Sequence, residues 1–301
     1  MARHRHLTAT YQLTRDWIES ELFELCDDLR NGVDLESRVA GRSIYCLFYE
    51  PSFLTRTSFE RAIELLGGRA YHTEDASQFF PVSTPSYVDN IVNILASLHI
   101  DLVVLRSSDI GVVERAEQAD SLPVINGGSA DDHPTQALAD IYTLKRELGG
   151  VDGVHLAAVG RLEHRNVSAL LRALALFDDV RVTLVPFSGS LAPEVIAYCE
   201  ERGMVLSVER DVDAIREADA IYLNGPRTVA HVQLLKSRNA FNLRIDADFM
   251  AGLRPHCVVL DPMQRSGDFA VEVQDPRLAF YRQAENALFV RMASLCHILG
   301  D

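Results

Sequence analysis

Apolar residues along the chain alternate between two rhythms, and few folds accommodate both. Short apolar runs at residues 43–49, 102–106, 154–159, 180–185, 220–223 and 258–260 are bounded by turn residues and read as strands. Between them the period changes. Phe59, Ala62, Ile63 and Leu66 recur at spacings of three and four, as do Ala137, Leu138, Ile141 and Leu144, so each set lines one face of a helix. Apolar strands joined by crossover helices predict an α/β fold of parallel sheets. At 301 residues the chain exceeds what a single core usually serves, so two doubly wound domains with a cleft between them are expected. ELGGVDG at residues 147–153 ends a helix begun near Pro134 and precedes a fresh strand. The crossing is therefore placed there, with a first domain over residues 1–148 and a second over 149–285. Ala287, Val290, Ala293, Leu295 and Ile298 follow a helical period, and this last helix, within residues 286–301, is expected to pack back on the first domain.

Charge narrows the partners. The formal net charge is −14, and no basic run extends beyond the short stretch at residues 3–6, which argues against nucleic acid. Only Lys145 and Lys236 are lysines, so nearly every cation is an arginine, the side chain that grips carboxylate or phosphate in bidentate fashion. Small anionic substrates therefore stay within reach of an acidic chain. Cys26, Cys46, Cys199, Cys257 and Cys296 are scattered and odd in number, which fits neither a disulfide framework nor a zinc site and points to a reducing cytoplasm. The polar stretch 1–16 has no apolar core of a signal peptide, and no run approaches the roughly 18 apolar residues of a membrane span. Neither export nor membrane insertion is expected.

Ligands of open α/β sheets bind outside the carboxyl ends of the strands, so the residues just after each strand carry the functional information. After the first strand comes FYEPSFLTRTSFERAIELLGG, where Ser52 and Thr55 stand at a helix start that favours an anion and equally suits plain capping. DDHPTQ sets His133 just before Pro134, the first residue of a helix, with Gln136 nearly one turn on. Imidazole and amide so placed offer hydrogen bonds to a carbonyl group, or serve as ordinary capping and rim residues. Arg106 ends one strand and Arg165 follows another, at the edge where a bound anion would lie. No GxGxxG follows Gly160, and there is no GxxxxGK[ST] loop, HExxH pair or GxSxG elbow. Dinucleotides, ATP, zinc and a serine nucleophile thus lack support, and no cofactor is expected.

FYEPSFLTRTSFE, then Leu105 and Arg106, then HPTQALAD at residues 133–140, in this order and spacing, resemble the aspartate and ornithine carbamoyltransferases, most of all the aspartate type. The likeness continues through residues 160–171 and VLDPMQR at 259–265. It implies two α/β domains, a homotrimer with active sites between subunits, and transfer of a carbamoyl group from carbamoyl phosphate to the amine of an amino acid. Ser52, Thr55 and Arg106 would contact phosphate or carbamoyl, and His133 with Gln136 the carbamoyl group. Arg165 would take the acceptor's carboxylate, joined by Arg227. Backbone carbonyls of the loop holding Pro262 and Met263 would receive the carbamoyl NH₂ beside the acceptor. The roles of catalyst thus fall on His133, Gln136, Arg106 and Thr55, with no metal.

Departures from the family pattern are specific. Where the family reads STRTR, this chain has Ser52, Phe53, Leu54, Thr55 and Arg56, so Phe53 and Leu54 bring apolar surface to the donor side. No lysine or arginine lies between Arg69 and Arg106 to be lent to a neighbouring subunit. Losing two charge-assisted contacts of about 1.5–3 kcal/mol each weakens a phosphate site by roughly 10² to 10⁴. Two further readings stay open on these residues: the same fold turned to another transfer or to C–N bond cleavage on an amino-acid derivative, and a non-catalytic homologue that supports an active partner.

Overall fold

Both rhythms are realised as two parallel sheets in a computed structural model that describes residues 5–73, 75–76, 85–210, 212–225, 244–262, 270–271 and 273–300. The chain forms two compact units: residues 1–138 with 285–301, and residues 139–284. The division falls inside a helix, Pro134–Leu148, ten residues before the glycine segment at which the sequence alone puts it. Helix periodicity continues across the division, which is why no turn signal marks it.

In the first unit the strands β1 (Ser43–Phe48), β2 (Arg69–Thr73), β3 (Leu102–Arg106) and β4 (Val124–Asn126) lie in the order β2-β1-β3-β4, all parallel. Helix Phe53–Leu65 follows β1, and its Phe59, Ala62 and Ile63 are fully buried, as the spacing requires. Leu47, Val103, Leu105 and Val124 pack with Val88, Val92, Val112 and Val113 of two other helices, so the sheet is covered by apolar side chains. The terminal helix Phe280–Leu299 contributes its residues from Glu285 on to this unit. Ala287, Val290, Ala293 and Leu295 are buried, Ile298 is half-buried, and Trp17 donates its indole N–H to His297 Nε2 at 3.1 Å.

The second unit holds β5 (His155–Arg161), β6 (Arg181–Ser188), β7 (Val205–Val208), β8 (Ala220–Asn224) and β10 (Val258–Leu260) in the parallel order β10-β8-β5-β6-β7. A separate pair joins β9 (Arg244–Ile245) and β11 (Ala270–Val271). Strands β2, β4, β7, β9 and β11 are absent from the sequence-based expectation. RAYHT and VLSV form edge strands whose residues are mostly exposed, so they lack the apolar run that marks a central strand, while the rest are only two or three residues long. No helix among the described residues is long and apolar enough to cross a membrane.

One glycine is fixed by geometry. Gly160, at φ +120°, pairs with Asn224 near the carboxyl end of β5, and a Cβ there would lie 2.2 Å from the Asn224 carbonyl oxygen. We expect Gly160→Ala to destabilise the protein by about 2 to 4 kcal/mol, from backbone strain plus overpacking, as measured by urea unfolding.

Candidate active site

The pairing of Phe48 with Arg106 brings the ends of β1 and β3 to one edge of the first sheet. Arg106 is 7% exposed there. Its Nη1 donates to the Gly127 carbonyl at 3.0 Å, and its Nη2 lies 2.8 Å from Glu50 Oε1. The guanidinium is therefore oriented by backbone on one side and by a carboxylate on the other.

Just past Glu50, Ser52 occupies the N-cap of helix Phe53–Leu65 with extended backbone, yet its side chain makes no capping hydrogen bond. That removes the plain capping reading for Ser52 and leaves its hydroxyl at a helix N-terminus. Phe53 is 67% exposed and Leu54 half-buried, so the apolar pair sits at the same helix start. Thr55, one position on, is buried with its Oγ1 3.5 Å from His133 Nε2.

His133 is itself buried, and its Nδ1 lies 3.5 Å from Thr135 Oγ1. Asp132 sets its backbone. The His133 N–H donates to Asp132 Oδ1 at 2.8 Å, the Thr10 N–H donates to Oδ2 at 2.7 Å, and the Thr10 hydroxyl also donates to Oδ1. Gln136 follows, buried, with its N–H donating to the His133 carbonyl at 3.0 Å.

Between Arg106 and His133 stands Gly128. Its φ is +121°, and a Cβ would meet Arg106 Nη1 at 2.5 Å and His133 Cδ2 at 3.3 Å. Both functional side chains thus rest against the bare α-carbon. Gly128, Asp132, Thr10 and Glu50 have no place among the residues chosen from sequence. Two signals existed: the Gly127–Gly128 pair directly after β4, and the acidic pair Asp131–Asp132 before His133. Neither says which atoms meet.

The first unit therefore gathers Ser52, Thr55, Arg106 and His133 around one corner, with Gln136 close along the chain. Hydroxyl, guanidinium and imidazole gathered so closely suit an anion together with a carbonyl oxygen that gains negative charge. In the second unit, Arg165 begins helix Arg165–Leu174 and is buried, while His164 caps that helix by accepting from the Asn166 N–H at 3.2 Å. Pro262 is buried just after β10, and the Asp261 N–H before it donates to Gln283 Oε1 at 2.9 Å. Arg227 and Met263 lie outside the described residues.

Comparison with known proteins identifies the family. The family model for the carbamoyl-P binding domain of aspartate/ornithine carbamoyltransferases matches residues 5–146. Aspartate carbamoyltransferase 3, chloroplastic, of Pisum sativum is 32% identical over 296 residues, 94% of this chain and 75% of that protein. The aspartate carbamoyltransferase catalytic subunit of Thermoplasma acidophilum is 30% identical over 294 residues, 94% of each chain. The crystal structure of Trypanosoma cruzi aspartate transcarbamoylase in complex with N-(phosphonacetyl)-L-aspartic acid superposes with a TM-score of 0.83 at 27% identity, covering 99% of this chain and 97% of that one. With a fold matched along its whole length and relatives of this identity, the chain belongs to the aspartate/ornithine carbamoyltransferase family.

Proposed function

We propose that the protein transfers a carbamoyl group from carbamoyl phosphate to the amino group of an amino acid, with L-aspartate as the first acceptor to test. The observation that carries this is the corner where Thr55 and Arg106 converge with His133 around Gly128. Relatives named aspartate carbamoyltransferase and a similar structure holding a phosphonacetyl-aspartate support the substrate class.

In this mechanism Ser52 and the helix start receive the phosphate, and Thr55, Arg106 and His133 donate to the carbamoyl oxygen. Attack by the neutral amine puts negative charge on that oxygen, so hydrogen bonds to it strengthen in the transition state. The family resemblance assigns the carbamoyl NH₂ to Gln136 and to the carbonyls around Pro262, and the acceptor's carboxylate to Arg165 with Arg227. Phosphate leaves with the C–O bond electrons and takes up the proton that the attacking amine loses. Catalysis rests on positioning and electrostatics and needs no covalent enzyme intermediate.

Phe53 favours a second reading. Its 67% exposure at the helix start presents an apolar ring where a dianion would otherwise meet a polar side chain. The same machinery would then serve a donor less charged or bulkier than carbamoyl phosphate. We further infer a homotrimer working in the cytoplasm: the family likeness supports the trimer, and five buried, free cysteines support the compartment.

Purified protein given carbamoyl phosphate and a panel of amino acids is expected to release phosphate and form a ureido acid visible by mass spectrometry. A donor panel in which another acyl phosphate outperforms carbamoyl phosphate would shift the conclusion to the second reading. Loss of one donor to a developing oxyanion costs about 10²- to 10³-fold in kcat, and that drop is expected for His133→Ala. Turnover retained in that variant removes the assigned role. Gly128→Ala is expected to displace Arg106 and His133 and to lower kcat by roughly 10- to 100-fold, with a loss of stability beside it from backbone strain at φ +121°. Native mass spectrometry showing a species other than three copies would sink the trimer.

A further inference from the structure

A buried polar relay in the second unit uses side chains from three separate elements. Tyr222 on β8 donates its hydroxyl to Asp140 Oδ2 at 2.8 Å, and Asp140 Oδ1 accepts from Gln283 Nε2 at 2.7 Å. Gln283 Oε1 in turn accepts from the Asp261 N–H at 2.9 Å. Tyr222 and Asp140 are fully buried and Gln283 is 2% exposed. Polar groups so deep are costly unless satisfied, so each member constrains the next.

The chemistry fixes the direction of every bond. Asp261 presents an obligate donor, so the amide oxygen of Gln283 must face it, and the amide nitrogen then faces Asp140. Burial and the neighbouring Asp140 push the Tyr222 phenol well above its ordinary range, so it stays protonated and donates. Helix Phe280–Leu299 supplies Gln283, helix Pro134–Leu148 supplies Asp140, and β8 pairs Tyr222 with Leu260 at the end of β10. All three anchors therefore act on the turn that leaves β10.

That turn is Asp261–Pro262, and proline has no N–H. Asp261's amide is thus the only backbone donor the two residues possess, and Gln283 holds it. The proline ring also fixes the φ of Pro262 and confines Asp261 to extended backbone, so few free torsions separate the held Asp261 amide from the two carbonyls that follow it. We propose that Gln283, backed by Asp140 and Tyr222, is the positioning residue that aims the Asp261 and Pro262 carbonyls at the carbamoyl NH₂. This rests on the carbamoyl-transfer reading above, where those carbonyls receive that group.

Three variants test it: Gln283→Leu, Gln283→Glu and Tyr222→Phe, each assayed with carbamoyl phosphate and L-aspartate and by backbone amide exchange at Asp261. Gln283→Leu is expected to speed exchange at Asp261 and to lower kcat/KM for carbamoyl phosphate, each by about 10- to 100-fold. Tyr222→Phe leaves the Gln283 bonds and is expected to cost under tenfold. Gln283→Glu carries the sharper readout, because a protonated glutamic acid accepts from Asp261 and donates to Asp140, whereas its carboxylate repels Asp140. Turnover relative to the unsubstituted protein should approach unity at low pH and fall as pH rises, a dependence that a merely volumetric role would not produce. Unchanged exchange and turnover within twofold in Gln283→Leu, or a pH-independent ratio in Gln283→Glu, would overturn the proposal. If the unsubstituted protein forms no ureido product, the carbamoyl reading fails by itself, and exchange at Asp261 still decides whether Gln283 holds the turn.

Discussion

The Asp132 carboxylate is the contact on which the first unit's corner depends. It is 5% exposed and accepts from the Thr10 N–H, the Thr10 hydroxyl and the His133 N–H, so it ties the start of the chain to the loop after β4. Withdrawing it would strand several buried donors at about 1–3 kcal/mol each. The same loop is pinned elsewhere: the Asn126 N–H donates to the Leu7 carbonyl at 2.8 Å, and Ser129 gives its N–H to the Asp132 carbonyl at 2.8 Å. His133 therefore enters its helix along a path already set by backbone and carboxylate, and its ring meets Thr55 without a long flexible linker. Groups held this way need little reorganisation when a ligand arrives.

Charge is handled locally, against the sign of the whole molecule. With a net charge of −14, bulk electrostatics oppose an anionic donor. Arg106 answers this at close range, where a buried guanidinium outweighs distant surface carboxylates screened within roughly a Debye length. Glu50, 2.8 Å away, is part of the same device. It orients the guanidinium from one side as the Gly127 carbonyl does from another, and under the proposed function an arriving phosphate or carbamoyl oxygen competes with these partners for it.

How much of this could be read from sequence depends on the range of each interaction. Central strands and the buried stripe of helix Phe53–Leu65 were legible because burial on both faces imposes an apolar run and burial on one face imposes a period. The edge strands were not, since RAYHT and VLSV have little to bury. His133, Arg106 and Thr55 stood out through their places after strands and at helix starts. Thr10 and Asp132 did not, because 122 residues separate two groups whose meaning lies wholly in their meeting. Gly128 was invisible for a related reason: its value is the absence of a Cβ beside two side chains, and nothing in the sequence names those neighbours.

Both units nevertheless solve one local problem in the same way. Pro134 and Pro262 each follow a residue that leaves a strand or loop toward the site, His133 in one case and Asp261 in the other. Proline contributes no N–H, so at each place the preceding amide is the available backbone handle. In the first unit the Asp132 carboxylate takes that amide, and in the second the Gln283 carboxamide takes it. The choice of acceptor has a consequence for charge. A carboxylate suits a corner crowded with donors and a guanidinium, whereas at the turn after β10 a neutral amide accepts from the Asp261 N–H with its oxygen and donates to Asp140 with its nitrogen. A second carboxylate at Gln283 would stand against the Asp140 carboxylate, which accepts from Gln283 Nε2 and from the Tyr222 hydroxyl. The amide makes the same hydrogen bond without that repulsion, and so the turn after β10 is held by a group that adds no charge.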